Sequence, residues 1–137
     1  MASSRILMID DDPKVLELYQ RGLGRRFKLE TAEGSRAGLT KILSGDQFAV
    51  VVTDLMMPGL NGLEILQRLK EFSPNTVGVL LTGAGDSGMA LDAMNQGIAY
   101  RFVSKTSTLD KIVKAVQDAL DLHRLIFCRH QYRNDEL

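Results

Sequence analysis

Four short apolar runs punctuate the chain, at residues 6–9, 48–52, 77–81 and 100–103, and stretches of helical period separate them. The first run, Ile-Leu-Met-Ile, has no polar alternation, the pattern of a strand covered on both faces. Asp12 is placed to cap a following helix, with Pro13 at its first position and Val15, Leu16, Tyr19 and Leu23 as its apolar stripe. Residues 27–31 read as a weaker, alternating strand, followed by a helix carrying Ala37, Ile42 and Leu43. After the second run, Pro58, Gly59, Asn61 and Gly62 form a loop, and Leu63, Leu66, Leu69 and Phe72 mark a helix that Pro74 closes. A strand over residues 77–81 then precedes a helix over about residues 86–96, which Gly97 ends. A last strand over residues 99–104 leads into a long final helix bearing Leu109, Ile112, Val113, Val116, Ala119 and Leu120 at helical spacing.

Strands and helices in strict alternation predict an α/β fold with a parallel sheet. Five strands and five helices with right-handed crossovers make a three-layer α/β/α sandwich the natural architecture. In such sheets ligands bind outside the carboxyl ends of the strands, so the residues that end the apolar runs share one pocket. The 137 residues suit one domain, and 17 basic against 17 acidic residues leave no basic footprint for direct nucleic-acid binding. The lone Cys128 makes no intrachain disulfide, and no stretch approaches the ~20 apolar residues of a membrane span. The first apolar run is shorter than the ~7–15 residues of a signal-peptide core, so the reading is cytoplasmic, with no membrane partner.

The runs end in Asp10 with Asp11, then Asp54, Thr82 and, after Ser104, Lys105. Three acids in a row at residues 10–12 are costly if buried without a counter-charge, and a divalent cation removes that cost. Mg²⁺ takes one or two carboxylates and keeps its other positions for water or phosphate oxygens, a habit that Asp10, Asp11 and Asp54 fit. A carboxylate at Asp54 can attack phosphorus to form an aspartyl phosphate. Lys105 and the Thr82 hydroxyl can then hold the phosphoryl oxygens. Each has a plainer reading alone: the acids as a solvated turn and cap, Lys105 as a strand end, Thr82 as a β-branched strand residue. Their joint placement favours the chemistry.

Four blocks, Ile-Leu-Met-Ile-Asp10-Asp11-Asp12-Pro13, Asp54-Leu-Met-Met-Pro58-Gly-Leu-Asn-Gly62, Leu-Leu-Thr82-Gly83 and Phe102-Val-Ser-Lys105, follow one another at suitable spacing. In them the chain resembles the receiver domain of two-component response regulators, over about residues 5–122. The resemblance implies the flavodoxin-like strand order 2-1-3-4-5 and a phosphoacceptor signalling domain in place of an ordinary enzyme. It makes Asp54 the phosphoacceptor, with Asp10, Asp11, Asp54 and the backbone carbonyl of Met56 as ligands of Mg²⁺, for which Mn²⁺ can substitute. Thr82 and Phe102 become a switch pair, and Lys105 the contact to the phosphoryl group. The implied donor is a sensor histidine kinase or a histidine phosphotransfer protein, and the implied target an output domain or partner protein. Met56 and Ala84 stand where receivers control the attacking water, which implies a long-lived phosphate.

Two positions depart from the family pattern. Thr106 follows Lys105 where proline, joined by a cis bond, is usual. A cis bond before a non-proline residue costs roughly 2.5–4 kcal/mol, so a trans bond is expected here, with Lys105 still directed at Asp54. Asn61 stands where an acid is common, with little expected effect.

Rival readings are weaker. Gly83-Ala-Gly85-Asp-Ser-Gly88 has dinucleotide-fingerprint spacing, but it follows the fourth strand, and the acid about twenty residues on, Asp110, falls in the final helix. Aspartyl-phosphate hydrolases need a second acid two positions after the nucleophile; after Asp54 that position is Met56, and the other frame, Asp10 with Asp12, puts Lys14 where those enzymes resemble each other in having Thr or Val. A receiver-like module that has lost phosphoacceptance would lack one of the acids, and all are present. Met56 and Met57 read as packing residues, and His123 and His130 as surface residues. The domain therefore spans residues 1–122, with residues 123–137 as a helical extension or linker. In it Leu122, Leu125, Ile126 and Phe127 either pair with a second copy or an output domain, or fold back on the core.

Overall fold

Parallel pairing begins at β1 (Arg5–Asp10), whose register places Arg5 beside Lys28 of β2 (Lys28–Glu33) and Ile6 beside Val50 of β3 (Val50–Asp54). The computed structural model describes the backbone of residues 3–136 and side-chain surroundings for residues 3–129. β4 (Val77–Thr82) and β5 (Arg101–Ser104) complete a five-stranded sheet of order β2-β1-β3-β4-β5. β1 and β3 are central and covered on both sides, which is why they tolerate no polar alternation. β2 extends past the expected residue 31 to Glu33, because its half-exposed edge position demands little apolar character.

Helices α1 (Pro13–Leu23) and α5 (Leu109–Glu136) cover one face with Leu16, Tyr19, Leu23, Ile112, Val116 and Leu120. On the other face lie α2 (Gly34–Leu43), α3 (Gly62–Phe72) and α4 (Ser87–Asn95), packed through Ile42, Ile65, Leu66, Leu69, Ala90 and Ala93. Burial of each large aliphatic side chain stabilises by roughly 1.5–3 kcal/mol, so these two seams are the main source of the sandwich's stability. Several stripes shift from expectation. Leu43, Phe72 and Leu109 are exposed at helix ends beyond the sheet, Ala37 is exposed on α2, and Ile65 takes the buried place on α3.

The caps follow the sequence closely. The Asp12 carboxylate accepts from the Lys14 N–H at 2.9 Å, and Asn61 with Glu64 forms a reciprocal capping box. Asn61 is thus the N-cap of α3, a role that an amide fills as well as an acid does. Gly97, at φ 74°, turns the chain out of α4, a conformation that a Cβ disfavours. No described helix is long and apolar enough to cross a membrane.

The final helix does not stop near residue 122 but continues as one 28-residue element. Leu122 and Ile126 pack against the core, whereas Leu125 faces solvent. His123, expected at the surface, is 4 % exposed, and its Nδ1 lies 2.6 Å from the Asn75 carbonyl. The carbonyl can only accept, so Nδ1 carries the proton and donates. His130 lies outside the described side chains.

Candidate functional site

At the carboxyl end of the sheet the strands deliver Asp10, Asp54 and Thr82 from β1, β3 and β4, and Lys105 from the residue after β5. Asp10, Asp54 and Thr82 are 1 %, 5 % and 3 % exposed, so the strands deliver polar side chains that are almost wholly withdrawn from the surface. Lys105 Nζ lies 2.8 Å from Asp54 Oδ2 and 2.9 Å from Asp10 Oδ2. The contact with Asp10 has ion-pair distance without hydrogen-bond alignment, which leaves Asp10 Oδ2 buried and without a hydrogen-bond donor. Asp10 Oδ1 accepts from the Asp12 N–H at 2.9 Å, an anchor that keeps the carboxylate at the strand end.

One ammonium faces two buried carboxylates, so the cluster keeps an excess of negative charge. Burial pushes the Asp54 carboxyl above its ordinary value; Lys105 pulls it back, Asp10 pushes it up again and the Met56 N–H lowers it, with a net rise. Burial opposes the charge on Lys105, yet Asp54 and Asp10 together hold its ammonium above the ordinary lysine range. Both shifts report the same imbalance. Exposed Asp11 adds a third carboxylate, and oxygens of Asp10, Asp11 and Asp54 lie within 4.8 Å of one another. An all-oxygen donor set with one orphaned buried oxygen fits a hard divalent cation.

Close approach shapes the floor of the site. A Cβ on Gly62 would collide with the Asp54 carbonyl, and the Gly62 N–H donates to Leu55 O at 2.8 Å, so the first turn of α3 is drawn against the end of β3. Met57 is buried as expected, but Met56 is 55 % exposed: it stands at the rim beside Asp54 and is not packing material. Phe102, half-buried on β5, packs against the cluster under α4, and its register partner Leu80 lies two residues before Thr82.

The bond between Lys105 and Thr106 is trans, since no described peptide bond is cis, and Lys105 nonetheless reaches Asp54. Two groups of neighbours escaped the sequence reading. Tyr19, taken only as a core residue, lines a cavity of about 320 Å³ with Lys105; burial raises its hydroxyl's pKa, Lys105 opposes the rise, and the two aspartates add to it. Ser104 and Thr106 hydrogen-bond to each other around Lys105. Four consecutive hydroxyl or ammonium-bearing residues at 104–107 were the available signal.

A model of the response regulator receiver domain matches residues 6–117. The chain is 35 % identical over 126 residues to the C4-dicarboxylate transport transcriptional regulatory protein DctD of Pseudomonas aeruginosa, covering 91 % of this chain and 27 % of that protein. It thus spans about a quarter of the curated relatives it matches. Among solved structures it is similar to an adenylate cyclase from Rhodopirellula baltica, with TM-score 0.93, 32 % identity, and coverage of 96 % of this chain and 98 % of that one. It is also similar to a response regulator receiver domain protein from Clostridium thermocellum, with TM-score 0.84, 31 % identity, and coverage of 90 % and 99 %. The strand order, the acidic cluster and these matches agree: the chain belongs to the family of response regulator receiver domains.

Proposed function

We propose that Asp54 is the phosphoacceptor of this receiver domain. The observation that carries the reading is a buried carboxylate at the end of the central strand, 2.8 Å from a lysine ammonium and grouped with two further acids. An Asp54 oxygen attacks phosphorus, a new O–P bond forms, and the bond from phosphorus to the donor's leaving group breaks with its electron pair going to that group. Lys105 is placed to hold a phosphoryl oxygen as charge leaves the carboxylate, and the Thr82 hydroxyl can donate to another. Asp10, Asp11, Asp54 and the Met56 carbonyl would hold Mg²⁺ or Mn²⁺, which supplies charge neutralisation for the transferring group.

Thr82 and Phe102 are the candidate switch, because they sit on adjacent strands between the acids and α4. Drawing the hydroxyl toward phosphate opens space into which the ring turns, and phosphate biases that two-state element. The donor is a sensor histidine kinase or a histidine phosphotransfer protein, and the site acts in the cytoplasm. Residues 1–122 form the receiver, and the extension from residue 123 couples it to an output domain or partner, or to a second copy.

Incubation with acetyl phosphate and Mg²⁺, followed by intact mass, tests the reading. Wild type gains one phosphoryl group; Asp54→Asn, or wild type in chelator, gains none. Labelling of Asp54→Asn at the wild-type rate would overturn it.

A further inference from the structure

β5 is an edge strand two positions from β3 and three from β1. At ~4.8 Å per strand, Lys105 starts roughly 10 Å from the line of Asp54 and further from Asp10. Its flexible four-carbon stem must cross the top of β4 nearly extended to reach both carboxylates, so the backbone at residue 105 decides where the ammonium lands. On one side that backbone is pinned, because the Lys105 N–H donates to Thr82 O at 2.9 Å. On the other side the chain leaves the sheet with no proline to stiffen it.

Three hydrogen bonds converge there on Ser104. Its hydroxyl accepts from the Thr106 N–H at 3.2 Å and shares a second hydrogen bond with the Thr106 hydroxyl at 2.8 Å. Its carbonyl accepts from the Ser107 N–H at 3.0 Å, closing a turn with Lys105 and Thr106 at the centre. No described non-glycine residue has positive φ, which excludes a type II turn; Lys105 holds the first central position, and its ammonium reaches back to Asp54 and Asp10. Thr106 is exposed and Ser104 only half-buried, so neither hydroxyl is there to fill the core.

We propose that Ser104 and Thr106 are positioning residues for phosphoryl transfer: their hydroxyl clasp holds the trans turn that aims the Lys105 ammonium at Asp54. This rests on the reading of Asp54 as phosphoacceptor. The clasp does for the lysine what a rigid ring would otherwise do, since a shift near 1 Å at a contact to the reacting group is enough to cost orders of magnitude in rate.

The test is a cycle of variants labelled with saturating acetyl phosphate and Mg²⁺ and followed by intact mass. Ser104→Ala/Thr106→Ala is expected to lower the maximal labelling rate about tenfold while the Mg²⁺ midpoint and melting temperature stay near wild type. The conservative pair Ser104→Thr/Thr106→Ser, which keeps both hydroxyls, restores the rate. In a Lys105→Ala background the two alanines have no further effect, because the group they aim is gone. A double-alanine variant that labels at the wild-type rate, or one that slows Lys105→Ala by the same factor, overturns the positioning role while leaving Asp54 as acceptor. Failure of wild type to label overturns both.

Discussion

The two ends of the sheet handle charge in opposite ways. At the carboxyl end, Asp10 and Asp54 are almost fully buried around a single ammonium, and the balance is left negative. At the amino end, Arg5 pairs with Glu30 and Asp46, and Lys41 with Glu30, but every partner is about a third or more exposed. The Arg5 guanidinium is held further above its already high range by Glu30, yet it keeps water as an alternative partner. Charge at one end is left in a buried negative excess that a divalent cation can neutralise; at the other it decorates the surface. Burial and charge imbalance together set the candidate site apart from the ordinary ion pairs of the opposite end.

The sharpest break of that contrast is Lys105→Ala. It leaves two buried carboxylates facing each other, and the phosphorylation rate at saturating acetyl phosphate is expected to fall about 10²–10³-fold, the usual loss when one charge-stabilising group is removed. A fall under about threefold would mean that the ammonium is not part of the transfer machinery.

Asp54→Asn should act on stability in the opposite sense. The folded-state pKa of Asp54 lies above its unfolded value of 3.8, so ionisation disfavours the fold. The penalty is fully present above the folded pKa, shrinks as pH falls through it, and is gone below 3.8. In chelator near neutral pH, urea melts should show the asparagine variant more stable than wild type, with the gap closing on acidification. A variant less stable than wild type at neutral pH would contradict the charge excess.

A smaller effect belongs to the rim. Met56 cannot orient water by a strong hydrogen bond, so Met56→Asn should speed loss of the phosphoryl group several-fold, read by intact mass after donor removal. No change, or a slowing, would end the idea that this side chain sets the lifetime. At the amino end, Arg5→Ala should cost no more than about 1 kcal/mol in urea melts and leave the labelling rate unaltered. A large loss would erase the contrast between the two ends.

Much of this was legible in the residues. Unbroken apolar runs mark β1, β3 and β4, because strands covered on both faces leave no room for polar alternation. The run endings mark Asp10, Asp54, Thr82 and Lys105, whereas the strand order came with the family resemblance, since a run of valines does not say which strand it neighbours. Helical period misplaced Phe72 because it is blind to where the sheet ends. His123 was hidden for a different reason: its partner Asn75 is 48 residues away, and only the folded path of α5 brings them together. Ser104 and Thr106 escaped because hydroxyls are at home in any turn.

The unbroken α5 carries a consequence in phase. At 1.5 Å per residue its 28 residues make a rod of about 42 Å, clamped along one side by Leu122, His123 and Ile126. A clamped rod does not average over orientations, so whatever is joined to its far end inherits an azimuth as well as a distance. Each residue inserted after the clamp advances that azimuth by about 100°, and only insertions of whole turns bring it back. Insertions of one to three residues after the clamp would therefore turn an attached partner out of phase while leaving the cluster around Asp54 untouched.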